Sequence, residues 1–197
     1  MKAAWLIGCS VWGLSVVTGM NMLWRYRSTP AAAASVLERW PEASPLRRDP
    51  ARPTLVMFMH PRCPCSRASV GELDKLAQRF GDRAALHVLF VKPAGTAEGW
   101  ERTDSWAGAM RIPGVAVAVD RDGAEAARFG AHTSGQVLLY DAGGRLLFQG
   151  GITGGRGHAG DNLGEARVAA LLSGGAVDRS TSPVFGCALG EREEGRR

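Results

Sequence analysis

The sequence predicts an α/β domain, a central mixed sheet flanked by helices, carried behind an N-terminal transmembrane helix. Three observations predict it. Short apolar runs of β-type residues alternate with helix-period segments between residues 54 and 172. Two late runs are separated only by DAGG, a hairpin signature that makes one strand pair antiparallel. Ahead of all this, Ala3 to Trp24 contains no charged residue.

That first segment is rich in Leu, Val, Ile, Met and Trp and is flanked by Lys2 on one side and Arg25 and Arg27 on the other. As a helix it is long enough to span a bilayer. A cleaved signal peptide has a shorter apolar region and a small-residue cleavage site followed by polar sequence, so residues 1–27 read as an uncleaved anchor. LIGC, Leu6 to Cys9, has the look of a lipobox, but the apolar run before Cys9 is very short and continues past it. Cys9 therefore reads as an ordinary helix residue. Basic residues on both flanks leave orientation undecided by the positive-inside rule.

Residues 28–51 contain the run AAAA and prolines at 30, 41, 45 and 50, and read as a tether with at most a short helix around Ala32 to Trp40. The folded domain is expected over 52–175. TLVMFM, Thr54 to Met59, suits a buried central strand. A helix then carries Val70, Leu73, Leu76, Ala77 and Phe80 on one face, with Gly81 as its stop. LHVLFV, Leu86 to Val91, is a second strand; Trp100 to Met110 a helix; VAVAV, Val115 to Val119, a third strand; Ala124 to Phe129 a short helix. QVLLY, Gln136 to Tyr140, turns at Asp141 to Gly144 into RLLFQ, Arg145 to Gln149, and an amphipathic helix over Leu163 to Leu172 covers the sheet. The order is βαβαβαββα, followed by a tail, 176–197, that carries Cys187.

Composition excludes some functions. The 197-residue chain is 45% hydrophobic and 22% charged, an ordinary globular balance. Its net charge of +5 comes almost wholly from Arg, with Lys only at 2, 75 and 92. Those arginines are scattered along the chain, not clustered with aromatics, so no nucleic-acid surface is expected. Four cysteines, at 9, 63, 65 and 187, are too few and too unevenly spaced for a disulfide scaffold; they point to a site.

The site is HPRCPCSR, His60 to Arg67. Cys63 falls between a buried strand and a helix start, where unpaired backbone N–H groups and the helix dipole stabilise a thiolate. Arg62 and Arg67 add positive charge. Pro64 suits the first helical turn, having no N–H to leave unpaired and a φ already helical. The bland alternative is that Cys63 and Cys65 are two small buried apolar residues. If they are reactive, a Cys63–Cys65 disulfide closes a small, strained, easily reduced ring. Alternatively Cys187, in SPVFGC, folds back as the resolving partner and Cys65 serves as a second thiol of the same relay.

LVMFMHPRCPCSRASVGEL resembles, without a gap, the active-site stretch of the membrane-anchored thioredoxin-like proteins. The resemblance places Cys63 on the nucleophilic cysteine and Ser66 where the second, resolving cysteine stands. FGAHTSGQVLLYDAGGRLLFQGG is similar to that family's cis-proline loop, strand and hairpin, with Gly135 at the proline's position. In the resembled proteins this proline borders the active cysteine and hinders metal binding, so Gly135 opens a metal alternative. The resemblance covers Arg52 to Leu172 and implies a thioredoxin-like fold. With GGITGGRGHAGDN and the terminal VFGC, the pattern is similar to the bacterial RedB group, which implies redox chemistry.

The expected function is an extracytoplasmic, periplasmic-type thiol-disulfide oxidoreductase held to the membrane by its single span. It needs no cofactor, and its partners are a protein thiol or disulfide substrate and a protein reductant or oxidant. Copper binding or delivery is the alternative, through Cys63 and Cys65 with His60, His158 or Cys187, since soft sulfur suits Cu(I). Both histidines read more simply as solvated or capping loop residues. A peroxiredoxin-like peroxidase ranks third, because that chemistry wants Thr or Ser three residues before the cysteine and this chain has His60. GGRGHAGDN lacks the Lys-Ser/Thr ending of a phosphate-binding loop and reads as a flexible loop lining the redox site. Trp100 and Trp106 read as packing residues, and DRDG, Asp120 to Gly123, as a turn.

Overall fold

The computed structural model of the chain describes residues 2–32 and 35–190. Part of the AAAA run and the last residues of the tail, 191–197, lie outside the described residues.

Helix α1, Lys2–Ser28, precedes everything else. Its apolar part, Trp5–Ser28, is 24 residues with no buried surface. At 1.5 Å per residue that is about 36 Å, enough for a hydrocarbon core of about 30 Å. It is a candidate membrane span.

The sheet is built from β1 (Thr54–Met59), β2 (Ala85–Lys92), β3 (Val115–Arg121), β4 (Gln136–Tyr140) and β5 (Leu146–Gly151), in the order β3-β2-β1-β4-β5. β1 pairs in parallel with β2 and antiparallel with β4; β2–β3 is parallel and β4–β5 antiparallel. The central strand β1 is buried along its whole length, as a strand covered on both faces must be. This is the mixed sheet of a thioredoxin-like fold.

Alternate residues feed two cores. Leu55, Met57, Met59, Val88, Phe90, Val137 and Leu139 face α2 (Ser66–Phe80), α3 (Asp104–Met110) and α5 (Leu163–Leu172). The opposite set, Val56, Phe58, Leu89, Val91, Leu138 and Tyr140, meets only the six-residue α4 (Ala124–Phe129). One short helix cannot cover that face. Residues expected to form a free tether complete it: Trp40 stands edge-on to Phe129 at 5.0 Å and to Tyr140 at 5.3 Å, with Val36 and Leu46 beside it.

This differs from the tether predicted over 28–51. The segment is sewn to the hairpin, Trp40 N donating to Gly144 O (2.7 Å), Leu146 N to Glu38 O (2.8 Å) and Tyr140 Oη to Leu37 O (3.0 Å). The helix allowed around Ala32 to Trp40 is absent from the described part of that stretch, because Arg39 is drawn into a bridge with Arg145. α3 begins at Asp104, not Trp100: Trp100 is taken up by His60 and Arg62, while Glu101 turns to Lys92 at 3.3 Å. Gly81 caps α2 with right-handed angles (φ −56°), so the helix ends there without the left-handed glycine turn.

The tail is also part of the fold. Gln149 N donates to Ser180 O (2.9 Å), Ser182 N to Gln149 O (3.1 Å) and Gly151 N to Pro183 O (3.2 Å), so the tail runs alongside β5. It then crosses the sheet end towards the loop before β4.

Candidate active site: three thiols at a strand-helix junction

β1 delivers His60 and the cysteine loop to the sheet's end, and α2 starts immediately after. Cys63 O accepts from Ser66 N (3.0 Å) and Cys65 O from Ala68 N (3.2 Å), so the backbone is already coiling at Cys63 and Cys65 is the N-cap. Pro64 lies in that entry turn, two residues ahead of α2 and directly before its N-cap.

Ser66, at the position where the resemblance puts a resolving cysteine, has a different task. Its Oγ donates to His60 O (2.9 Å) and shares a hydrogen bond with Ser134 Oγ (3.1 Å), which also accepts from His60 N (2.9 Å). Both serines are buried, and together they fasten the cysteine loop to the loop before β4.

Gly135, at the position of the family's proline, holds φ +86° and donates its N–H to Phe58 O at 2.8 Å. Proline has no such N–H and cannot take that φ. A Cβ there would also sit 2.7 Å from Ser69 Oγ, so the site is built for glycine.

The tail brings the third thiol. Ser134 N donates to Cys187 O (2.8 Å), Leu189 N to His132 O (3.0 Å), and Thr133 bridges Ala188 in antiparallel fashion. Gly186 presses so closely on Ser134 that a Cβ would overlap its carbonyl oxygen. Leu189 is buried under the sheet. This pairing brings Cys187 to Cys63, which also interacts with Cys65.

The three thiols divide the proton between them unequally. Burial alone pushes Cys63 up, but hydrogen bonds from the side chain and backbone of Cys187 and the backbone and side chain of Cys65 outweigh it, and its pKa falls below the ordinary thiol value. Burial raises Cys65, and the negative charge on Cys63 raises it further, with Arg156 opposing. Burial and the same hydrogen bond to Cys63 push Cys187 up to about 12, again against Arg156. Cys63 is thus the thiol of the three that gives up its proton most readily. All three are free cysteines, and Cys9 lies apart on the exposed α1.

The cation at the thiols is thus Arg156, from the loop after β5. Arg62 and Arg67 line a cleft of about 820 Å³ beside Cys63, but Arg62 lies over Trp100 at 4.6 Å and the exposed Arg67 reaches Asp104 at 3.4 Å. Neither is among the largest influences on Cys63. The glycine loop, expected to be flexible, is tied down: Gly160 N donates to the buried Glu72 Oε1 (2.8 Å), and Asn162 Oδ1 caps α5 by accepting from Glu165 N (2.8 Å).

The histidines are engaged elsewhere. His60 Nδ1 accepts from Arg62 N (3.2 Å) and its ring meets Trp100 edge-on; burial, and then Arg62, lower its pKa. His158 Nδ1 accepts from Arg27 Nη2 (2.7 Å). Among the described residues no three His, Cys, Asp or Glu side chains are gathered so as to hold a metal ion.

Sequence reasoning missed Arg156 and Ser134. Arg156 is the single cation in GGITGGRGHAGDN, and Ser134 directly precedes the glycine at the proline position. Both signals were local, but their targets lie far away in the chain.

No protein-family model matches the chain, and no curated protein matches it significantly. Among solved structures it is similar to a hypothetical protein from Sinorhizobium meliloti, with 19% identity and a TM-score of 0.61, over 85% of this chain and 98% of that one. It is also similar to an uncharacterized conserved protein from Geobacillus kaustophilus, with 17% identity and a TM-score of 0.58, over 86% and 94%. A looser likeness, TM-score 0.46 at 14% identity, joins 62% of this chain to 81% of a secreted Mycobacterium tuberculosis disulfide oxidoreductase. At these identities the likeness is one of fold.

Proposed function

We propose that the chain is a membrane-anchored, extracytoplasmic thiol-disulfide oxidoreductase in which Cys63 is the nucleophile and Cys187 the resolving thiol. The observation that carries this reading is the pairing of the tail with residues 132–134, which sets a proton-bearing Cys187 against a low-pKa Cys63.

The Cys63 thiolate attacks one sulfur of a partner protein's disulfide. A Cys63–partner bond forms, the partner's own S–S bond breaks, and the leaving sulfur takes the electron pair and a proton from solvent. Cys187 then attacks the Cys63 sulfur. The partner's second sulfur departs with the electron pair, and the proton given up by Cys187 neutralises it. The partner gains two electrons and two protons, and the chain is left with a Cys63–Cys187 disulfide. A protein dithiol acting as reductant resets it by the same steps in reverse. Electrons move with the S–S bonds, so the exchange needs no cofactor.

Cys63, though buried, lines the cleft beside Arg62 and Arg67, and Cys65 and Cys187 are not among that cleft's lining residues. α1 as a candidate span supports anchoring, and the oxidising compartments where such bonds persist favour the extracytoplasmic side. Cys187 belongs to VFGC, part of the likeness to the RedB group, and we read the chain as a protein of that kind.

Trapping tests the reading. Cys187→Ser should accumulate a mixed disulfide between Cys63 and its partner, visible on non-reducing gels, and Cys63→Ser should form none. Normal exchange by Cys63→Ser with the other thiols intact would overturn the assignment.

A further inference from the structure

We propose that Arg156 is the positioning residue of the resolving thiol, holding the Gly186–Cys187 peptide at Cys63 from the end of the membrane helix. The inference rests on the role given to Cys187 above. Arg156 Nη1 donates to Gly186 O at 2.6 Å, the carbonyl of the peptide that leads directly into Cys187. A charged donor makes this stronger than a neutral backbone contact. The guanidinium lies over the ring of Tyr26 at 5.0 Å, and the Arg156 backbone N donates to Arg27 O at 3.1 Å. Two residues on, His158 Nδ1 accepts from Arg27 Nη2.

Arg156 is therefore gripped by the last turn of α1 on one side and grips the tail on the other. Its Nε is buried and has no partner among the described residues, a cost accepted for the fork's orientation. Among the described residues, the groups with the largest influence on Cys187 are Cys63, Cys65 and Arg156, of which Arg156 is the cation. Its charge lowers the proton affinity of both Cys187 and Cys65. Removing it should misplace the resolving thiol and make it harder to deprotonate; because Cys187 also donates to Cys63, attack by Cys63 should move to higher pH as well, while its rate once fully deprotonated is kept.

The test uses the detergent-solubilised full chain in a Cys9→Ser, Cys65→Ser background, reacted with an aryl disulfide that releases a coloured thiolate. The first release reports attack by Cys63; the second reports resolution by Cys187. In Arg156→Met the first release, read on its high-pH plateau where Cys63 is fully a thiolate, should stay within about twofold of the parent, while the second, at the same pH, slows by about tenfold or more and its pH–rate profile moves to higher pH. Arg156→Lys, which keeps the charge but loses the planar fork and its stack on Tyr26, should fall between them and serves if the Met variant does not fold. A second release with the parent's rate and pH profile in either folded variant overturns the role of Arg156. No second release in the parent would instead overturn the role of Cys187.

Discussion

The lowered pKa of Cys63 comes from groups in its own loop and in the tail, not from its position before α2 alone. Burial works against its thiolate, and the hydrogen-bonding groups of Cys187 and Cys65 reverse that sign. Cys187→Ala should therefore raise the Cys63 pKa, and the rate of Cys63 alkylation should need higher pH to reach its plateau. An unshifted pH profile would place the stabilisation elsewhere. At the next loop, Gly135 looks from sequence like a lost proline, yet its N–H is bonded to Phe58 O and its φ is positive. Gly135→Pro should not restore a conventional site but destabilise the domain by about 3 kcal/mol or more, read as a fall in the denaturation midpoint.

Among the elements, every strand and helix of the sheet domain was legible from apolar periodicity and turn residues, most within a residue or two of its observed bounds. α3 is the exception, because Trp100 and Glu101 are drawn out of the helical pattern by His60, Arg62 and Lys92, and tertiary contacts leave no local trace. The same limit applies to residues 28–51, which read as a tether, and to 176–190, which read only as a tail whose Cys187 could fold back. Their docking depends on a sheet face that α4 cannot cover and on glycines 151 and 186, where the two backbones meet too closely for a side chain. Cysteine content flagged the site, whereas the pairing that assembles it was not written in spacing. Trp40, half-buried between Phe129 and Tyr140, is the largest member of the docked segment. Trp40→Ala should cost about 2–4 kcal/mol in equilibrium unfolding, whereas a true tether would show almost no change.

For the whole molecule, the end of α1, the glycine loop, the tail and the cysteine loop form one connected set: Arg27 to Arg156, Arg156 to Gly186, Cys187 to Ser134, and Ser134 to His60. In the proposed function, a site joined this way to the end of α1 would work beside the membrane surface. In intact cells a membrane-impermeant maleimide should label reduced Cys63 in a Cys9→Ser, Cys65→Ser, Cys187→Ser background without permeabilisation; labelling only after permeabilisation would place the domain on the cytoplasmic side. The central claim, that a thiol from the far end of the chain resolves Cys63, is tested most directly by peptide mass spectrometry of the oxidised full chain. The account predicts a Cys63–Cys187 linked peptide pair. A Cys63–Cys65 linkage, with Cys187 recovered as a free thiol, would contradict it.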